Sequence, residues 1–269
     1  MYKKTVINLN DIEINEITDI HYNYKNINFL FKNKKSKNLI ISFHGAINPD
    51  TPLPVFRLYD YECKNSDILS ISDKILEDNN DKQLLLSWYL SDDTNNYDNI
   101  YQNIINYFIQ NNNYENTIFI GSSGGAYPAL KYASFFNKDC IIYAGQIYLD
   151  KYNYFNHFIN KTKLNLGNIN MEDYIKRNGP PNRIILYQNI LDTHHYLCHA
   201  KKFVEFMNMN YCNIIEVSYF EHSDEDHLKK LEGKKGYFDG WKYHGGKLNL
   251  PVGINLKKIL YDKYNIIVD

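Results

Sequence analysis

The chain has 269 residues and a formal net charge of -1, with acidic and basic residues mixed along its length. This balance gives no reason to expect a nucleic-acid or anionic-membrane partner, and no stretch approaches the roughly 20 apolar residues of a membrane span. The four cysteines form no Cys-x-x-Cys pair, and a chain of this length can build its core without disulfides. We therefore expect a single domain, residues 1–269, in a reducing cytoplasmic compartment.

The first part of the chain predicts the edge and then the centre of a sheet. Short segments with strand character predict antiparallel pairing, and they span residues 5–9, 13–17, 19–24 and 27–31. Residues 38–43 (NLIISF) are a nearly unbroken apolar run, which is typical of a strand buried on both faces of a parallel sheet. The sequence His44-Gly45-Ala46 follows directly after this run.

The next segments predict a helix, a strand and a second helix. Residues 66–76 indicate a short helical piece, and residues 83–87 (QLLLS) indicate another apolar strand. Trp88 and Tyr89 would follow the carboxyl end of that strand, where ligand sites gather in open α/β sheets. The two aromatic side chains either pack in the core or line a substrate site. Residues 99–109 place apolar side chains at helical spacing.

Residues 117–130 (TIFIGSSGGAYPAL) predict a strand, a sharp turn and the start of a helix. Gly121, Ser123 and Gly125 fit the pattern Gly-x-Ser-x-Gly of a nucleophile elbow, in which small neighbours let a serine stand on a strained turn. An ordinary loop or a phosphate-binding turn are the alternatives. No lysine follows Gly125, so the P-loop pattern is absent. Ser123 is therefore the candidate nucleophile, with the Gly124 N–H as an oxyanion donor.

The second half of the chain continues the alternation of strands and helices. Residues 140–143 and 183–187 predict strands, and the segment between them, 145–181, is a candidate small cap. Asp192 follows the later of these strands. Residues 196–207 predict a helix, and residues 213–220 predict the last strand, which His222 follows closely.

These motifs resemble the α/β-hydrolase superfamily: His44-Gly45 after one strand, the Gly121–Gly125 turn after another, and Asp192 and His222 after two later strands. The resemblance implies an α/β fold with a mostly parallel central sheet of about eight strands, helices on both faces and a small cap. A fainter likeness is to hydrolase-like proteins of bacterial surface-polysaccharide gene clusters, some of which are acyltransferases or esterases.

The resemblance also implies a role for each motif residue. Ser123 would be the nucleophile, His222 the general base and Asp192 the acid that orients it, with the N–H groups of Gly124 and Ala46 as the oxyanion hole. His44 and Gly45 would lie against the substrate in the same loop, although the His44 ring could instead hold the loop by hydrogen bonds.

Other histidines and acids compete for the base and acid positions. Asp150 is the alternative acid, and the rival bases are His194, His195, His199, His227 and His244. His194, Cys198 and their neighbours have metal-ligand side chains, but on a helix they form two pairs that do not converge on one ion. We predict neither a metal nor another cofactor.

The sequence thus predicts a serine esterase that removes short acyl groups from a small-molecule or glycan ester. An O-acyltransferase of a sugar or polysaccharide would use the same residues, because the two reactions differ only in whether water or a sugar hydroxyl accepts the acyl group from the serine. A non-catalytic binding or assembly protein on the same fold is the alternative of another class. The aromatic and polar segment 151–158 (KYNYFNHF) offers ring faces and amides that suit a sugar, or it simply packs the cap.

Overall fold

A computed structural model of the chain describes residues 3–12, 16, 18–58, 62–79, 83–91, 95–223, 243 and 256–268. Nine strands of this part form one sheet, and they are β1 (Lys3–Val6), β2 (Thr18–Tyr24), β3 (Ile27–Asn33), β4 (Asn38–Phe43), β5 (Asp67–Ile71), β6 (Asn116–Ser122), β7 (Asp139–Tyr143), β8 (Arg183–Asn189) and β9 (Ile215–Phe220). Their order across the sheet is β1-β2-β3-β5-β4-β6-β7-β8-β9.

The sheet is mostly parallel, as predicted. Only β3 runs against its neighbours β2 and β5, while the other adjacent strands pair in parallel. The antiparallel prediction holds for β2 and β3, which a two-residue turn at Lys25 and Asn26 joins with both φ angles positive. It is wrong for β1, which pairs with β2 in parallel, because the longer connection between them lets the chain cross over.

Helices cover both faces of the sheet. They are α1 (Lys74–Asp78), α2 (Tyr97–Asn111), α3 (Ala126–Phe136), α4 (Tyr154–Thr162), α5 (Met171–Asn178), α6 (Thr193–His195), α7 (Lys201–Asn210) and α8 (Leu256–Tyr264), with a π-helical turn Tyr196–Ala200 between α6 and α7. Alternate strand residues face opposite cores: Ile41 and Phe119 pack towards α2 and α3, and Ile40 packs towards α8. No helix in the described ranges is long and apolar enough to cross a membrane.

Two predictions about the segment between β4 and α2 are wrong. Residues 66–76 form β5 followed by α1 rather than one helix. Residues 83–87 do not form the predicted strand, because β5 already pairs with β4 on that side. The segment instead bridges two loops: the Leu85 carbonyl accepts from the Ile47 N–H at 2.9 Å, and the Leu85 N–H donates to the Tyr154 hydroxyl at 2.6 Å.

The insertion between β7 and β8 carries a 3-10 turn (Leu149–Lys151), α4 and α5. Asn170 caps α5 by accepting from the N–H groups of Glu172 and Asp173. Since α5 packs against α3, it belongs to the helical layer over the sheet. The turn and α4 come first in the insertion, directly after the carboxyl end of β7. They are therefore the part closest in the chain to the strand ends that carry the motifs.

Candidate active site

Ser123 lies on the turn between β6 and α3 with a φ of 52°, in the left-handed region. A residue with a side chain rarely adopts this conformation, and strain of this kind is found at functional sites. The glycines let the backbone fold back on itself, because a Cβ on Gly121 would lie 2.0 Å from the carbonyl oxygen of Gly125. The turn therefore has the sharp geometry of a nucleophile elbow.

The loop after β4 packs directly against this turn. A Cβ on Gly45 would lie 3.0 Å from the Ser122 carbonyl oxygen, 3.3 Å from the Ser123 Cβ and 3.5 Å from the Gly124 nitrogen. Gly124 stands in the first turn of a helical segment, where N–H groups have no intrahelical acceptor. The structure thus brings Gly45, and Ala46 next to it in the chain, to the turn that carries Ser123.

His44 is buried and holds this loop from inside. Its N–H donates to the Tyr89 hydroxyl oxygen at 3.0 Å, and its Nδ1 lies 2.8 Å from the Gly45 carbonyl oxygen. Burial lowers the pKa of His44 to about 4, so the ring is neutral near pH 7 and Nδ1 carries the proton that the carbonyl accepts. His44 is only 2% exposed. The structure therefore shows the ring making a hydrogen bond within its own loop, which was one of the two roles that the sequence allowed.

Trp88 and Tyr89 form a second left-handed turn, with φ angles of 52° and 55°. The buried Asp73 carboxylate anchors it by accepting from the Tyr89 N–H at 2.8 Å, and the Tyr89 hydroxyl donates to the Ile71 carbonyl at 2.7 Å. The exposures of Trp88 and Tyr89 are 0% and 1%, so both side chains pack inside the fold. Tyr89 nevertheless reaches the site, because its hydroxyl accepts from the His44 N–H.

Asp192 follows the carboxyl end of β8 and caps α6. Its buried carboxylate accepts from the His195 Nδ1 at 3.0 Å and from the His195 N–H at 3.4 Å. Asp150, the alternative acid, pairs with Lys151 at 2.7 Å, and its side chain is 57% exposed. The structure therefore provides a buried carboxylate at Asp192 and a solvent-facing one at Asp150.

His222 follows β9 and is held through its backbone. Its N–H donates to the Asn189 Oδ1 at 3.3 Å, and the Asn189 Nδ2 donates to the His222 carbonyl at 2.7 Å. Within the described residues, no hydrogen bond joins the His222 ring to Ser123 or Asp192. The rival bases His227 and His244 lie outside the described residues.

Comparison with known proteins gives structural matches only. No protein-family model matches the chain, and no curated protein matches its sequence. Two structures of the capsule O-acetyltransferase of Neisseria meningitidis serogroup A match with TM-scores of 0.60 and 0.57, at 22% and 20% identity over 77% of this chain and 88% of that one. An S-formylglutathione hydrolase from Agrobacterium tumefaciens matches with a TM-score of 0.50, at 10% identity over 81% of this chain and 90% of that one. The chain has the α/β-hydrolase fold.

One residue beside Ser123, the candidate nucleophile, was missed by the sequence analysis. Gln146 follows the carboxyl end of β7, and its Nε2 lies 3.2 Å from the Ser123 Oγ. Its N–H donates to the Ser123 carbonyl at 3.0 Å, and its Oε1 accepts from the Trp88 Nε1 at 2.7 Å. The available signal was its position just after a strand end, where sites of open α/β sheets gather.

The aromatic residues at the start of the insertion enclose the Trp88 ring. The ring centroids of Tyr152, Tyr154, Phe155 and Phe158 lie 6.2, 6.2, 5.8 and 5.5 Å from that of Trp88. These rings therefore pack the insertion onto the Trp88 turn. Packing was one of the two roles that the sequence allowed for this aromatic segment, beside contact with a sugar. Burial raises the pKa of Tyr152, so its hydroxyl stays protonated near pH 7.

Three histidines form a cluster next to the Tyr152 ring. The ring centroids of His194, His195 and His199 lie 5.5 Å apart in each pair. His199 Nδ1 accepts from the N–H groups of Ile147 and Tyr148, so this ring fixes the start of the insertion beside Gln146. In the part of the chain that the structure describes, no group of three or more His, Cys, Asp or Glu residues could hold a metal ion.

Proposed function

We propose that the protein is a serine esterase that removes short acyl groups from a small or carbohydrate-linked ester. The geometry of Ser123 carries this proposal: the residue stands on a left-handed turn at the start of a helix, with a glycine loop packed against it. A serine in an ordinary loop needs neither feature. The names of the matching structures, an O-acetyltransferase and a thioester-type hydrolase, support acyl-transfer chemistry on the same fold.

The proposed reaction divides acyl transfer into two steps. His222 accepts the proton of the Ser123 hydroxyl while the Oγ attacks the acyl carbonyl carbon. The Gly124 and Ala46 N–H groups donate to the oxyanion that forms. The intermediate collapses to an acyl-serine, and the leaving alcohol receives the proton from the imidazolium. Water then attacks the acyl-serine by the same route and restores Ser123.

Asp192 is the proposed acid because its carboxylate is buried and follows a strand end, as the mechanism requires. Its hydrogen bond from the His195 Nδ1 fixes the orientation of the carboxylate. His222 is the proposed base, since the Asn189 side chain holds its backbone just past β9. Catalytic hydrogen bonds often tighten only when substrate binds, so the ring can complete the triad at that stage. His227 is the alternative base.

The surroundings of Ser123 favour a small, polar ester over a long acyl chain. Gln146 places an amide beside the Oγ, and the Leu86 side chain fills the space over Gly124, where an added Cβ would lie 2.4 Å from the Leu86 Cδ1. A long acyl chain needs a broad aliphatic slot next to the nucleophile. The proposed substrate is therefore an acetyl or similarly short ester of a carbohydrate hydroxyl.

An O-acyltransferase is the second candidate function. It is favoured by the likeness to the capsule O-acetyltransferase, which has a higher TM-score than the S-formylglutathione hydrolase. In this reaction a sugar hydroxyl, rather than water, would attack the acyl-serine. The residues proposed for the first step are the same in both reactions.

A chain-length series of p-nitrophenyl esters, run beside acetylated sugars with and without acetyl-CoA, tests the proposal. We expect acetyl and propionyl esters to be cleaved best and Ser123→Ala to give only background. Preference for acyl chains of about eight carbons or more would contradict the short-acyl proposal. Acetylation of a glycan that depends on acetyl-CoA would select the transferase over the esterase.

A further inference from the structure

The Gln146 amide is fixed between the nucleophile and a buried tryptophan. Gln146 and Trp88 are both fully buried. The Trp88 Nε1–H is a donor only, so the amide atom 2.7 Å away must be the carbonyl oxygen Oε1. The atom that faces the Ser123 Oγ at 3.2 Å is therefore the NH2 group, a donor. The orientation of this amide follows from the chemistry of its partners.

We propose that Gln146 is a catalytic residue that orients the Ser123 hydroxyl and stabilises the charge that develops on its oxygen. This inference rests on the proposed function, because it concerns the same nucleophile. A hydroxyl has one hydrogen to donate and two lone pairs that accept. When the Gln146 N–H occupies one lone pair, the hydroxyl hydrogen remains available to the base. As the base removes that proton, the same N–H faces a more negative oxygen.

Trp88 is the positioning residue for this amide. The left-handed turn, anchored by Asp73, fixes the Trp88 backbone, and four aromatic rings of the insertion enclose its side chain. The Gln146 backbone is tied to the same place, because its N–H donates to the Ser123 carbonyl at 3.0 Å. The donor is thus held before any substrate binds, which is the condition under which a hydrogen bond accelerates a reaction.

Three variants separate these roles when the rate of fluorophosphonate labelling is measured across pH. Gln146→Met keeps the length of the side chain but removes the donor, and we expect labelling to slow about tenfold, the equivalent of one hydrogen bond. Gln146→Glu keeps the shape and still accepts from Trp88. Its carboxylate favours the protonated form of a nearby imidazole base, so the rate profile should also move to higher pH. Trp88→Phe keeps an aromatic ring and should slow labelling about threefold.

The double variant tests whether the two residues act as a unit. If Trp88 works through Gln146, Trp88→Phe combined with Gln146→Met should label within about twofold of Gln146→Met alone. Tyr127→Phe is the matched control, since it removes a buried hydroxyl that donates to the Ile169 carbonyl and should label at the wild-type rate. Urea unfolding of each variant verifies that the protein is folded.

The outcomes distinguish this inference from the proposed function. If the wild type labels, Ser123→Ala does not, and the folded Gln146 variants label at the wild-type rate with an unshifted pH profile, the role of Gln146 is overturned while the function stands. A folded wild type that does not label overturns both. Slower labelling in Gln146→Met together with the shifted profile of Gln146→Glu supports the inference.

Discussion

The nucleophile side and the acid-base side of the candidate site are built in different ways. On the nucleophile side, the Gly45 loop packs against Ser123 and donates a backbone N–H to the Tyr89 hydroxyl, and the Gln146 side chain joins Ser123 to Trp88. On the acid-base side, Asp192 bonds to His195 within one short helix. In the part of the chain that the structure describes, His222 is held by hydrogen bonds between its backbone and the Asn189 side chain.

The difference shows which parts of a site are fixed by local geometry. A turn that needs two glycines and one left-handed serine permits few other arrangements, and the structure surrounds it with further anchors. A triad acid and base come from different strand ends, so their approach depends on the whole sheet and on the loops after β8 and β9. Substitutions on either side of the site therefore test whether the two sides differ in this way.

The largest expected effect is on the acid-base side. His222→Ala should reduce ester turnover on the order of 10⁴-fold or more, because a serine hydroxyl needs a base to act as a nucleophile. Steady-state kinetics on the preferred p-nitrophenyl ester would measure the loss.

His227→Ala and His195→Ala are the matched variants. His227→Ala should keep near wild-type turnover. His195→Ala should lose about tenfold, because it removes one hydrogen bond that orients Asp192. A severe loss in His227→Ala with a mild one in His222→Ala would move the base to His227.

The second prediction concerns the acid. Asp192→Asn should lower turnover on the order of 10³- to 10⁴-fold, because an amide cannot stabilise the imidazolium and favours the wrong tautomer. Asp150→Asn changes a carboxylate that pairs with Lys151 at the surface, and turnover should stay near wild type. Parallel kinetics of the two variants compare a buried with an exposed acid. Equal losses, or a larger loss in Asp150→Asn, would rule out Asp192 as the acid.

The third prediction concerns the backbone of the turn that carries Ser123. An alanine at Gly121 would place its Cβ 2.0 Å from the Gly125 carbonyl oxygen, so Gly121→Ala should lower the free energy of unfolding by about 3 kcal/mol and abolish labelling of Ser123. Nothing lies within 4 Å of a Cβ on Gly167, and Gly167→Ala should change stability by less than about 0.5 kcal/mol. Urea unfolding compares the pair. Similar unfolding curves would contradict the packed geometry of the elbow.

The smallest expected effect comes from the anchor of the Trp88–Tyr89 turn. Burial raises the pKa of Asp73 to about 6, above the value of about 3.9 in an unfolded chain. The folded protein then holds this proton more tightly than the unfolded chain, so the free energy of unfolding falls as pH rises from about 4 to about 6.

The asparagine of Asp73→Asn does not titrate in this range. The free energy of unfolding of this variant should therefore decrease less between pH 4 and pH 6 than that of the wild type, by on the order of 2 kcal/mol. Urea unfolding at pH steps between 4 and 7 measures the effect. Gly167→Ala, which changes no titratable group, is the control, and its profile should run parallel to that of the wild type. An Asp73→Asn profile that is also parallel to the wild type would show that this carboxyl does not carry the effect.

The sequence was most informative where the structure is local. The long apolar runs predicted β4, β6 and β8, and the glycine pattern predicted the sharp turn at Ser123. Short apolar segments were misleading: residues 66–76 were predicted as a helix and residues 83–87 as a strand, and both predictions were wrong because sheet order decides which short segment becomes a strand.

Two features of the site could not be placed from the local sequence alone. The left-handed turn at Trp88 and Tyr89 contains neither glycine nor asparagine, the residues that usually mark such a backbone. Gln146 lies beside Ser123 because β6 and β7 are neighbours in the sheet, and no spacing along the chain encodes that contact. Both features depend on tertiary packing.

Whether Ser123 is the nucleophile of an acyl-transfer enzyme can be measured by intact-mass spectrometry after treatment with a fluorophosphonate. We predict one adduct on the wild-type protein, mapped to Ser123 by peptide sequencing, absent in Ser123→Ala and retained in Ser122→Ala. The neighbouring serine is the matched control, because it ends β6 in extended backbone while Ser123 alone of the pair has a positive φ. No adduct on folded wild-type protein, or an adduct on another residue, would contradict the account.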